Sequence, residues 1–573
     1  MTNKVKMIAS GILSVSLFLG CIGCGCSVPQ VTTGSDKATV TKDLLPSVTV
    51  TGAPISPHLL QLDNLTAAPV YPEIPQCPQI EDYADNMSQF YEDQWQWQSA
   101  VRETRVCSPD NAHDLDPFMK AAMEQFLSGD DNTVCAPLNI YFALAMLAQT
   151  TDGNSRQQIL DLLGHDSIES LREQAKQLWI AHYYNDGQTT SLMANSVWLD
   201  EAYTFYQDTL DTLATEYFAS AFYGDLGTEE MDKQLAAWLD AQTGGLLNEY
   251  TENIKLSPAA VFCLASTAFF QADWVDSFYK PNTYPEVFHA EDQDVTTDFM
   301  HTTYMEYLYY EGNYFSAVAL GLSGEHQMWL ILPHEGSSPQ ELLAQGDYYD
   351  LISSPDTWER QRRVTLNLSM PKFDVSNEQD MIPGLKAMGI TDVFNAHTAD
   401  FSPLSDTEVF LSTVTHAARV AVDETGVIAA AYTLMVGDTG GMPEQLEEVD
   451  FILDRPFLFA ITGSDDLPLF AGTVNQPFEC TQSKYCITIA DSPLIDAYLI
   501  TDDLESSYAP GEEVTIQLAT ITGHYYVLTV NGVSQAMDMD ASDLMYTYFT
   551  FTMPNQDVLI EIQQKAATIP AAP

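Results

Sequence analysis

The chain has 573 residues, 46% of them hydrophobic, enough for one large domain with smaller additions. Its 22 basic and 80 acidic residues give a net charge of −58. That field repels nucleic acid and heparin-type polyanions, so both are excluded as partners.

Residues 1–26 carry a short basic start (Lys4, Lys6) and then an apolar run from Met7 to Leu19, broken only by small residues. That is the architecture of an export signal, and it is too short to favour a membrane-spanning helix. Cys21, Cys24 and Cys26 follow, each preceded by Gly. The pattern resembles a bacterial lipoprotein signal in which Cys21 or Cys24 is lipidated, which implies an exported, membrane-anchored protein at the cell surface. No His or second Cys pair lies beside these cysteines, which argues against a metal site. The other six cysteines (77, 107, 135, 263, 480 and 486) show no disulfide framework. Cys77–Cys107 and Cys480–Cys486 are close enough in sequence to close loops, but sequence does not assign them.

Residues 27–113 form a linker. From Ser27 to about Pro78 the composition (Pro, Thr, Ser, Val) predicts a flexible stalk, and a helix is expected over 83–105. Pro117 to Leu127 has helical apolar spacing. The stretch Asn132-Thr133-Val134-Cys135-Ala136-Pro137-Leu138-Asn139-Ile140 leads into a buried-type helix at Tyr141 to Ala148, and Ser155 is placed to cap the next helix. Asn195 to Trp198 reads as a strand. Ala260 to Trp274 is almost continuously apolar, as a strand buried on both faces should be.

Farther along, Pro371-Lys372-Phe373, Ala399-Asp400-Phe401-Ser402, His416, Glu424-Thr425-Gly426, Asp454 to Phe459 and Leu469-Phe470-Ala471-Gly472 follow in order. Between Glu424 and Glu444 lies Thr425 to Gly437, which has no charged residue and includes three consecutive alanines. It suits both an exposed loop and a strand entering a sheet interior without burying a charge. This succession resembles the serpin family, and the resemblance spans residues 114–477. The implied fold is α+β: a multi-helix N-terminal half, a large central mixed sheet, smaller sheets and an exposed reactive-centre loop.

The resemblance also implies a function: suicide-substrate inhibition of serine, and by extension cysteine, peptidases. The target peptidase is held as a covalent acyl complex while the cleaved loop inserts into the central sheet. By position, the hinge is Glu424, Gly426, Val427, Ala429, Ala430, Ala431 and Thr433, and the reactive bond is Gly440–Gly441. The region where the loop inserts is Lys372, Glu424 and Trp274. The hydrogen-bonded gate of the sheet is Ala136, Asn139, Ser266 and His416, where Asn139 and Ser266 have traded the family's usual identities. No catalytic group, cofactor or metal is required of the chain, and a monomer is expected. The alternative is a non-inhibitory surface protein that uses the same body for binding or adhesion.

No enzyme signature competes with this reading. The stretch Gly321-Leu322-Ser323-Gly324 lacks the spacing of a hydrolase elbow, and the 11 histidines form no zinc motif. His416, in an apolar strand, reads as a satisfied core histidine. Residues 478–565 show short strands separated by turns, similar to the small all-β repeats of bacterial surface proteins, and 566–573 are expected to be a disordered tail.

Overall fold

The computed structural model describes the backbone of 12–23, residues 64–72, 78, 83, 86–105, 114–129, 131–185, 189–243, 254–291, 293–424 and 446–477, and strands between 485 and 566. Its helices are α1 (Met87–Arg105), α2 (Asp116–Phe126), α3 (Pro137–Thr150), α4 (Gly153–Leu163), α5 (Ile168–His182), α6 (Gln207–Glu216), α7 (Glu229–Thr243), α8 (Pro339–Gln345), α9 (Asp347–Ser353) and α10 (Ile382–Ala387). The strands as far as residue 477 are β1 (Ile12–Gly23), β2 (Leu65–Ala67), β3 (Thr133–Cys135), β4 (Tyr184–Asn185), β5 (Thr190–Asp200), β6 (Ala219–Gly224), β7 (Ala260–Ala272), β8 (Thr283–His289), β9 (Asp294–Glu311), β10 (Phe315–Leu322), β11 (His326–Pro333), β12 (Gln361–Pro371), β13 (Phe373–Asp380), β14 (Phe410–Val422), β15 (Glu448–Ile452), β16 (Phe457–Thr462) and β17 (Pro468–Val474).

Two sheets organise the described residues up to 477. One runs β13-β14-β1-β7-β5-β6-β2, with β4 on β5; the other runs β15-β12-β9-β10-β11-β16-β17-β3, with β8 on β9. In β7 every residue is buried except Gln271, as its apolar run predicts for a strand covered on both faces. Helix α3 is buried at every position and touches β7 of the first sheet and β17 of the second. A helix that is apolar all round belongs in such an interior.

Two local expectations change. The helix after α3 starts at Gly153 behind Asp152, without a side-chain cap. Ser155 lies inside its first turn, where its hydroxyl accepts the Asp400 N–H at 3.1 Å. Ser155 thus fastens the helix to a distant loop, which short-range sequence pattern does not report.

The stalk expected from Ser27 to Pro78 is in part built into the body. Leu65–Ala67 pairs with β6 at the sheet edge. Tyr71 stacks with Trp179, Tyr183 and Phe218 at centroid distances of 5.6, 5.3 and 6.4 Å. An unpaired edge and an open aromatic groove together give a Pro- and Thr-rich segment a place to order. The expected helix at 83–105 is α1, which lies against α5. Cys135 and Cys263 are buried thiols, and burial pushes the Cys135 thiol well above its usual range.

Residues from Phe478 onward, with Tyr284–Glu286 and Val295–Asp298, fall in a second compact unit. It holds β18 (Tyr485–Ile489), β19 (Ser507–Tyr508), β20 (Glu513–Ala519), β21 (His524–Val530), β22 (Val533–Ser534), β23 (Tyr546–Thr552) and β24 (Val558–Ala566). These form a sheet of order β19-β18-β24-β21-β22 and a β20–β23 pair. Val514, Ile516 and Leu518 are buried at every second position of β20, beside a cluster that includes Leu528, Phe549 and Ile560. Strand β24, which the turn signals do not reveal, is central to its sheet.

Replacing Tyr71 with Ala should lower the unfolding midpoint by removing about 1–3 kcal/mol of aromatic packing. Hydrogen exchange should rise first in β2 and at the β6 edge. Unchanged exchange there would show that the Tyr71 stack does not hold the segment.

Candidate functional site

The stretch that the sequence singles out follows the C-terminal end of β14, where two contacts fix Asp423 and Glu424. The Trp274 indole Nε1–H donates to the Asp423 carbonyl at 2.9 Å. The Lys372 Nζ lies 3.0 Å from Glu424 Oε2, with Glu424 8% and Lys372 37% exposed. Lys372 is placed by the step from β12 to β13, and Trp274 by the end of β7, where Trp274 makes a bridge to Leu322. The structure therefore brings Lys372, Trp274 and Glu424 to one corner of the sheet. Burial raises the cost of ionising Glu424, but the Lys372 charge and a backbone hydrogen bond outweigh it and hold the carboxyl below its ordinary value.

Midway along β14 the second group of candidates meets. Asn139, in the first turn of α3, and Ser266, on β7, are both buried. The Ser266 hydroxyl donates to Asn139 Oδ1 at 2.6 Å, and the Asn139 amide donates to the Ser266 carbonyl at 3.3 Å. His416, on β14, is fully buried, and its Nε2 accepts the Ala136 N–H at 3.2 Å. With Nε2 accepting, the ring proton of the neutral imidazole sits on Nδ1. Pro137 follows at the start of α3, where its missing N–H removes no helical hydrogen bond. Ala136, by its backbone, thus joins α3 to β14, and Asn139 joins α3 to β7.

Sequence reasoning missed Asn377. On β13, its side-chain oxygen accepts the Val134 N–H at 2.9 Å, so β3 is tied to the first sheet immediately before Ala136. A polar residue in the same two-residue register as the buried Phe373 and Val375 was the available signal, but its partner lies far away in sequence.

β14 and β7 do not pair with each other among the described residues. β1 lies between them, antiparallel to both, with Phe18 opposite His416 on one side and opposite Ser266 on the other. Of the hinge, Glu424 is described. Gly426, Val427, Ala429, Ala430, Ala431, Thr433 and the bond Gly440–Gly441 lie outside the described residues. The cysteine candidates differ in the same way: Cys21 lies in β1 and Cys24 outside the described residues. Among the described residues no cluster of His, Cys, Asp or Glu could hold a metal ion, and no helix is long and apolar enough to cross a membrane.

Two measurements probe this corner and this gate. Asn139→Ser and Ser266→Asn should each destabilise by about 1–3 kcal/mol, because each leaves a buried polar group poorly matched. The double change should recover much of the loss, and strictly additive effects would remove the case for a direct Asn139–Ser266 coupling. At the corner, a carboxyl with a depressed folded value contributes stability above its unfolded value, about pH 4, and loses it as pH falls through the lower folded value. Glu424→Gln should therefore lower the unfolding midpoint at neutral pH and match the parent in strong acid. Solvent around Lys372 limits the difference to about 1 kcal/mol or less. An equal difference at pH 7 and below pH 3 would mean that charge is not its source.

The profile of the Serpin (serine protease inhibitor) family matches residues 116–477. Plasminogen activator inhibitor 1 of Sus scrofa is 28% identical over 373 residues, covering 61% of this chain and 88% of that protein. Serpin-ZX of Arabidopsis thaliana is 26% identical over 373 residues, covering 61% of this chain and 93% of that protein. Among solved structures, the thermophilic serpin tengpin in its native state has 25% sequence identity and a TM-score of 0.56, covering 65% of this chain and 95% of its own. Thyroxine-binding globulin in complex with thyroxine shares the fold at 20% identity and a TM-score of 0.53, covering 65% of this chain and all of its own. The chain belongs to the serpin family.

Proposed function

We propose that this protein is an exported suicide-substrate inhibitor of serine peptidases, with cysteine peptidases as a second target class. The observation that carries the reading is the juxtaposition at the end of β14. The buried hinge carboxylate of Glu424 lies at the mouth of a position between β7 and β14 that accepts a whole additional strand, and the sequence that follows it, Thr425 to Gly437, is uncharged.

The chemistry asks nothing catalytic of the inhibitor. The peptidase nucleophile attacks the Gly440 carbonyl, the Gly440–Gly441 amide bond breaks, and the Gly441 amine leaves with a proton supplied by the enzyme. An ester or thioester then joins the peptidase to Gly440. If the freed hinge side enters the sheet, about ten residues gain backbone hydrogen bonds worth about 0.5–1.5 kcal/mol each, on the order of 10 kcal/mol together. Strand alternation would turn Val427, Ala429, Ala431, Thr433, Met435 and Gly437 to one face, all uncharged and mostly small. That gain drags the joined enzyme across the sheet before its ester is hydrolysed. Gly440 offers no side chain to a deep specificity pocket, so a peptidase tolerant of small residues suits this bond better than a trypsin-like one.

The same reading places the mature protein at the cell surface. It begins at a lipidated Cys21 or Cys24, acts as a monomer and carries residues 478–565 as an all-β spacer or attachment module. A non-inhibitory binding or adhesion protein is the second reading. It draws on Val427 and Ile428, which stand where inhibitory relatives commonly have small polar residues, but neither carries a charge.

Incubating the processed protein with a panel of serine and cysteine peptidases should give a covalent complex that survives SDS, with the released C-terminal piece starting at Gly441. Cleavage should raise the unfolding midpoint by on the order of 10 °C or more. Ala430→Pro should turn inhibitor into substrate, because proline cannot donate its ladder hydrogen bond. A cut before Val436, or no gain in stability after cleavage, would put the binding-scaffold reading ahead.

A further inference from the structure

The strand that lies between β7 and β14 does not come from the reactive loop. It is β1, Ile12–Gly23, from the far N-terminal end of the chain. On one side its register runs from Leu13 opposite Ala421 to Gly23 opposite Phe410; on the other it runs from Ile12 opposite Ala272 to Gly23 opposite Ala260. β1 therefore spans nearly the whole length of both neighbours and supplies both of their facing backbone edges. It starts beside the end of β14 from which the loop departs. A loop that turned back from Val422 would run antiparallel to β14 as well, so β1 has the direction that an inserted loop would have.

The composition of β1 suits this place as well as that of the loop does. From Met7 to Gly25 there is no charged residue, so a strand drawn from this run brings no charge between the buried β7 and the partly buried β14. Thr425 to Gly437 is uncharged too and of similar length. One slot cannot hold both strands, because each β-strand edge is satisfied by one neighbour.

We propose that Ile12–Gly23 is a built-in occupant of the slot between β7 and β14, and that the chain that retains it cannot insert its cleaved loop. Removing this segment arms the protein. A cut before Cys24 removes β1 entirely, and a cut before Cys21 leaves only its last three residues. The processing that would create the lipid anchor would thus also vacate the sheet. The proposal rests on the loop-insertion reading above, and the precursor is then a loop-expelled form that peptidases cut without being trapped.

The test compares the full chain with the full chain carrying Leu17→Pro, which removes a ladder donor from the middle of β1. Hydrogen exchange comes first. In the full chain, amides from Leu13 to Ile22 should be protected to the same degree as those of β7; exchange at the rate of an unstructured peptide overturns the proposal. Both proteins then meet a peptidase that cuts the loop. The full chain should be cleaved with no SDS-stable complex and no rise in unfolding midpoint. The Leu17→Pro chain should form at least about tenfold more complex and gain stability on cleavage. A synthetic peptide of the Ile12–Gly23 sequence, added beforehand to the Leu17→Pro chain, should abolish both effects. Formation of the SDS-stable complex by the full chain to the same extent as by the Leu17→Pro chain overturns the proposal even if β1 is ordered. If the Leu17→Pro chain neither traps nor gains stability while β1 of the full chain is protected, loop insertion fails as the function and occupancy of the slot stands.

Discussion

Everything in this molecule turns on the hydrogen-bonding edges of β7 and β14. β7 is buried along almost its whole length and β14 from Val414 onward at about every second residue, and neither pairs with the other among the described residues. A buried strand edge is a row of N–H and C=O groups that must be satisfied, at a cost of about 1–3 kcal/mol for each group left without a partner. Two such edges facing each other act together as a strong and nearly sequence-blind receptor for one more strand. What may enter is limited by direction and, at the height of the buried residues of the two walls, by charge.

The two candidate clusters sit at different heights along this receptor and act on it differently. At the loop end, Trp274, Lys372 and Glu424 hold the departure point through an indole–carbonyl hydrogen bond and a half-shielded ion pair. Breaking them would free the chain for a turn back toward β14. Midway, Asn139 ties α3 to β7 while the Ala136 backbone ties α3 to β14 through His416. α3 therefore bridges the two strands from beneath, whatever lies between them. Any change in the width of the slot must be accommodated by those three short contacts, all of them buried, so their geometry can set how readily a strand enters. Asn377 extends the tie one strand outward, to β13.

Much of this was legible in the chain. The apolar run at 260–274, the buried helix after Pro137 and the uncharged stretch after Glu424 each follow from composition and periodicity alone. The ordered series of short motifs then joined them into one family. The Asn139–Ser266 contact was approachable because two side chains that trade identities while conserving volume and donors suggest neighbours. What stayed hidden was long-range and backbone-driven. The pairing of Leu65–Ala67 with β6, the role of Ser155 as a fastener to Asp400, and the central place of β24 all depend on partners that no local window contains. Stalk-like composition at 64–72 describes what a segment does alone; an open sheet edge and the Trp179–Tyr183–Phe218 groove supply what the segment lacks.

The place of Ile12–Gly23 in the sheet is the sharpest case of that limit. An apolar, charge-free run behind a short basic start is read as an export signal because a membrane or a translocation channel would receive it. The same physical properties satisfy a buried double edge inside the protein. Signal and strand are two answers to one requirement, removal of an uncharged segment from water with its backbone groups paired. Which answer prevails depends on which receptor the segment reaches first. The slot between β7 and β14 cannot form until residues beyond Phe410 have been synthesised, since β14 is one of its walls. On the proposed export reading, the translocation machinery would meet residues 1–26 much earlier. A chain that kept β1 until the slot formed would, on the same proposal, close its own sheet.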